Sequence, residues 1–127
     1  MVLESQPDAA ALLRAMHLGP DLLLPATLGL FLILLIRGAA PGASLYGRPA
    51  AQLLPALLAL PIAYVVVDYA ENLVSLLLFP PSLPAPGNAD LLAEAHAWLT
   101  RLKFAALVIS GILALRLAFG PKPARDD

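Results

Sequence analysis

Residues 61–79 read PIAYVVVDYAENLVSLLLF, an apolar run suited to lipid that carries Asp68, Glu71 and Asn72 in its middle. A charge inside a hydrophobic span is costly and turns toward protein or a water-filled cavity. Tyr64, Asp68, Glu71, Asn72 and Ser75 follow the i, i+4, i+7, i+8, i+11 spacing of one helical face. Val65, Val66, Val67, Leu73, Val74, Leu76 and Leu77 cover most of the remainder. Any fold open to this chain must therefore bring other helices against that one face. On the insertion scale Asp68 and Glu71 together cost about 5–7 kcal/mol, and the Leu, Ile, Val and Phe of the run return about as much. Such a helix inserts poorly by itself, and either pairing with Arg101 and Lys103 or a position nearer the interface shifts the balance.

Composition supplies the solvent. Of 127 residues, 60% are apolar and 13% charged, against about 25% charged in soluble domains. One domain of this size cannot hide that much apolar surface, so a bilayer is expected around an all-α membrane bundle. The net charge of −1 gives no footprint for nucleic acid. The absence of cysteine excludes disulfides, thiolate metal sites and a cysteine nucleophile. The opening MVLESQPD has neither a basic n-region nor an immediate apolar run, so the first apolar helix is expected to do the targeting.

Taken in order, residues 8–18 predict a short interfacial helix, capped by Asp8 and ended by Gly19. Residues 21–37 give the first span, with Asp21 at its start and Pro25 in its first turns. Residues 38–50 hold three Gly and two Pro and read as a loop. Residues 51–79 give a second span of about 43 Å at 1.5 Å per residue, bent by Pro55 and Pro61. Residues 80–89 form a proline-rich connection. Residues 90–119 form a long helix, amphipathic at first and then nearly pure apolar, that contains the third span. Gly120 and Pro121 stop it, and residues 120–127 make a polar tail. The expected architecture is one membrane domain with three transmembrane helices and a short interfacial one.

Basic residues set the expected orientation. Arg37 and Arg48 flank the first loop, and Arg116, Lys122 and Arg125 lie near the C-terminal end. With three spans those regions share one side, which predicts the N-terminus outside and the C-terminus in the cytoplasm.

The third helix supplies partners for the polar face. If residues 79 and 90 lie at one depth, equal steps inward bring Asp68 level with Arg101 and Glu71 near Trp98, with His96 and Lys103 bracketing that level. Asp21 lies within reach at the outer end of the first span. The candidate cluster is therefore Asp21, Tyr64, Asp68, Glu71, Asn72, Arg101 and Lys103. Two readings stand. Interhelical pairing of these groups fixes which faces meet. Alternatively, intramembrane acids mark a proton or small-solute pathway or a lipid-modifying site, which three helices would build more readily as an oligomer. His96 beside Glu94 has no ligand spacing for a metal. Ser75 and Ser110 have no base at recognisable spacing, so nucleophilic catalysis is not indicated.

DLLLP at 21–25, DYAEN at 68–72 and LTRLKF at 99–104 stand together. The set resembles a group of uncharacterised small bacterial multi-pass membrane proteins. There an Asp-x-x-x-Pro opens one span, Asp-x-x-Glu-Asn lies in the next, and a Lys followed by an aromatic opens the last. Asp21, Pro25, Asp68, Glu71, Asn72 and Lys103 occupy those positions. The resemblance implies a bacterial inner-membrane location and no particular activity. Expected partners are membrane lipids, with a second copy or another membrane protein as a further possibility. No cofactor or metal is expected.

Overall fold

The computed structural model describes residues 11–12, 15–16, 19–78 and 88–120. It is an all-α bundle of three helices, each long and apolar enough to cross a membrane. Helix α1 runs Pro20–Ala39, α2 Leu54–Leu78 and α3 Ala89–Phe119. Pro20 is the first residue of α1, where its missing N–H is no loss and its φ suits the helix. Pro55 falls in the first turn of α2 for the same reason, so Pro61 alone lies inside that helix. Of the interfacial helix expected over residues 8–18, Ala11, Leu12, Ala15 and Met16 are described, and all four are helical and exposed. Its remainder lies outside the described residues, as do residues 79–87 and the tail from 121.

The buried positions of α2 form one stripe: Leu57, Pro61, Tyr64, Asp68, Glu71, Asn72 and Ser75. Its first half is apolar and its second half polar, and the bundle interior divides the same way. Leu32, Ile36, Leu57, Ala114 and Leu117 cluster toward the α1–α2 connection. The polar half faces the start of α1 and the first turns of α3. On α1 the buried stripe is Pro25, Gly29, Leu32 and Ile36. On α3 it is Ser110, Ala114 and Leu117, whose small members permit close approach of the backbones. Ser110 is fully buried and donates its hydroxyl to the Ala106 carbonyl at 2.6 Å, which satisfies it within the helix.

The segment expected as a loop is a packed cap. A 3-10 turn Ala40–Gly42 leads to two short antiparallel strands, β1 Ser44–Leu45 and β2 Arg48–Pro49, paired Ser44 to Pro49 and Leu45 to Arg48. A second 3-10 turn, Ala50–Leu53, enters α2. Ala40, Ala43, Leu45 and Ala50 are buried in the same apolar cluster as Ala114 and Leu117. The two residues at the tip, Tyr46 and Gly47, have φ of 52° and 75°. Positive φ at both central positions is the type I′ geometry that suits a hairpin. Gly47 accepts it freely, whereas for Tyr46 the left-handed region costs about 1–2 kcal/mol. Tyr46 is 97% exposed, so no burial offsets that cost. Tyr46→Asn is expected to raise stability in detergent by about 1 kcal/mol, read as an increased thermal midpoint. An unchanged or lowered midpoint would show that the tip tyrosine makes a contribution of its own.

Candidate functional site

At three successive levels, side chains of α2 and α3 meet in one register. Ser75 meets His96, with Oγ and Nε2 2.8 Å apart. Four residues earlier on α2 and four later on α3, the Thr100 hydroxyl donates to Glu71 Oε1. Three residues further in each direction, Lys103 Nζ lies 3.0 Å from Asp68 Oδ1. Steps of four and three keep side chains on one helical face, so two antiparallel helices with matching stripes interlock as a ladder. Lys103 Nζ also contacts Glu71 Oε2 directly, so one ammonium bridges two carboxylates. Thr100 Oγ1 lies 3.0 Å from the His96 carbonyl oxygen as well, which ties it to the preceding turn of its own helix.

Helix α1 joins through its backbone. Asn72 Nδ2 donates to the Asp21 carbonyl at 3.1 Å and to Asp68 Oδ2 at 3.3 Å. The Tyr69 hydroxyl donates to the Leu22 carbonyl at 2.8 Å. Asn72 thus links the first turn of α1 to the ion pair between α2 and α3. The side chains of Asp68 and Glu71 are 10% and 7% exposed and that of Lys103 20%. Interaction here is therefore much less screened than at a surface.

Asp21, Tyr64, Asp68, Glu71, Asn72 and Lys103, six of the seven candidate residues, line a single cavity of about 200 Å³. Ser75, His96, Leu24 and Pro25 complete its wall. That volume is more than a single water needs, and hydrogen-bonding groups make up most of its wall. Arg101 is the exception. It is exposed, and its guanidinium stacks over the Trp98 ring at 5.0 Å from the centroid. The counting that set Asp68 level with Arg101 differs from the observed register by two residues. Two residues turn a helix by about 200°, so the slip moves Arg101 out of the interface and puts Lys103 in its place.

Sequence reasoning passed over Thr100 and over the Ser75–His96 contact. Thr100 sits four residues after His96 and three before Lys103, so helical periodicity was signal enough for it. The base beside Ser75 comes from another helix, 21 residues along the chain, and only tertiary register reveals it. The contact places an imidazole nitrogen at a serine hydroxyl, the first requirement of nucleophilic chemistry. A donor for a developing oxyanion is also required. Both Asn72 amide contacts are already engaged, and Lys103 is shared by two carboxylates. Among the described residues, no group of three or more His, Cys, Asp and Glu converges where a metal ion could sit. No protein-family model, curated protein or solved structure matches this chain.

Proposed function

We propose that this chain is a multi-pass protein of a bacterial inner membrane, and that its buried Asp68–Glu71–Lys103 network is a structural lock holding three helices in one register. In this reading the outer faces are left for lipid and for a membrane partner or a second copy. The observation that carries it is the ladder itself: Ser75–His96, Glu71–Thr100 and Asp68–Lys103. The Asp-x-x-x-Pro, Asp-x-x-Glu-Asn and Lys-aromatic pieces fit the same reading, because Asp68, Glu71, Asn72 and Lys103 interlock and the Asp21 carbonyl accepts from Asn72. With the basic residues of the hairpin and of the α3 end placed in the cytoplasm, the N-terminus and the polar cavity lie toward the outside.

A second reading rests on a different observation. The cavity is walled by polar groups, and two carboxylates share one ammonium, so the network has room for a further proton or a small polar solute. That is the pathway or site expected of intramembrane acids.

One experiment separates the readings. The chain has no cysteine, so Ser75→Cys carries a unique thiol in the cavity wall. Under the structural reading it resists a membrane-impermeant, water-soluble thiol reagent in intact cells and reacts only after denaturation. Rapid labelling from outside would support the open site and overturn the dry lock. Labelling only after the cytoplasmic side is opened would overturn the orientation.

A further inference from the structure

We propose that the hairpin end of the molecule is a docking surface for anionic phospholipid headgroups. The described acids lie toward one end of the molecule, together with Arg101 and Lys103, and the other end carries arginines alone. Residues 22–67 contain no Asp or Glu, and neither do residues 95–120. The described acids Asp21, Asp68, Glu71, Asp90 and Glu94 all lie toward the polar cavity or beyond it along α2 and α3. Arg37, Arg48 and Arg116 lie at the opposite end, and all three are exposed.

Packing sets their common level. The hairpin residues Ala43, Leu45 and Ala50 share one buried cluster with Leu117, the neighbour of Arg116, and with Ile36, the neighbour of Arg37. Along α1, Asp21 and Arg37 are separated by about 24 Å at 1.5 Å per residue. That is close to a hydrocarbon core of about 30 Å, so the arginines emerge where headgroups begin. The helix dipole accounts for a cation in the last turn of α1 and of α3. It accounts neither for Arg48, which lies on β2, nor for an end without described carboxylates. The guanidinium fork pairs with phosphate oxygens. Tyr46, two residues before Arg48 at the turn tip, is 97% exposed, an amphipathic ring of the kind enriched at headgroup depth.

The test uses the purified full chain in mild detergent and native mass spectrometry. It is titrated with phosphatidylglycerol, with phosphatidylcholine of the same acyl chains, and with soluble glycerol phosphate. Each arginine near an anionic surface contributes about fivefold. The wild type is therefore expected to retain phosphatidylglycerol at least about tenfold better than phosphatidylcholine. Arg37→Gln/Arg48→Gln/Arg116→Gln loses that preference, while Arg101→Gln, at the other end, keeps it. If the triple glutamine variant fails to fold, the triple lysine variant carries the test and is expected to retain a weaker preference. Equal retention of both lipids by the wild type overturns the proposal, as does an undiminished preference in the triple glutamine variant or, where that fails to fold, in the triple lysine variant. Glycerol phosphate displacing the lipid at similar concentration would overturn the membrane source and leave a site for free phosphate. None of these readings depends on sidedness or on a wet cavity, so the lipid surface and the structural lock fail separately.

Discussion

Lys103→Met is expected to be the most damaging single substitution in the bundle, at about 3–5 kcal/mol. Its ammonium contacts both Asp68 and Glu71, and its removal leaves two neighbouring carboxylates within a largely buried wall. Their mutual repulsion adds to the desolvation that each already bears. Asp68→Leu alone is expected to cost less, because Glu71 still holds the ammonium. The triple change Lys103→Met, Asp68→Leu, Glu71→Met removes every formal charge from the α2–α3 ladder. It should recover most of the loss, since replacing a whole buried ion network by apolar groups of similar volume is often neutral or better. Thermal midpoints in one detergent measure all three. A Lys103→Met protein as stable as the wild type would show that the ammonium does not hold the helices together. A triple variant no better than Lys103→Met would show that the polar contacts themselves, rather than their balance of charge, are what the bundle needs.

Much of this arrangement was legible in the sequence, and particular residues show where legibility stopped. The face Tyr64, Asp68, Glu71, Asn72, Ser75 follows from helical spacing alone, and all five are buried. The need for a basic partner follows from the cost of charge in lipid. Which residue serves does not, because depth counting across residues 79–90 fixes register only to about a turn. An error of two residues is small along the axis and nearly half a revolution around it. That is why the count favoured Arg101 for Asp68, whereas Lys103 makes the pair and Arg101 lies outside against Trp98. The cap between α1 and α2 was hidden for another reason. Its turn carries Tyr46-Gly47 rather than the Asn-Gly or Asp-Gly that signals a type I′ hairpin. Its core is three alanines, at 40, 43 and 50, and the single Leu45, which carry no strand or helix pattern strong enough to read.

Gly29→Ala is expected to destabilise the bundle by about 1–3 kcal/mol, the usual cost of forcing a methyl into a packed interior. Gly29 is buried in α1, and a Cβ built there would overlap Val65 Cγ2 on α2. The nearest other atom of α2 is the Pro61 carbonyl oxygen, at 3.7 Å, so the valine methyl is the whole obstacle. Val65 is β-branched and has one strongly preferred rotamer in a helix, so it cannot swing aside without strain. The alternative is for α1 to retreat. That would stretch the two bonds that α1 backbone carbonyls accept from Tyr69 and Asn72, one and two turns along α2. The added methyl therefore loosens the cavity wall as well as the helix contact. Val65→Ala removes the obstructing methyl and should restore most of the stability in a Gly29→Ala background, although alone it costs about 1 kcal/mol of packing. Coupling of that sign in a double-mutant cycle identifies direct contact. Additive losses from the two substitutions would show that α1 does not rest on Val65.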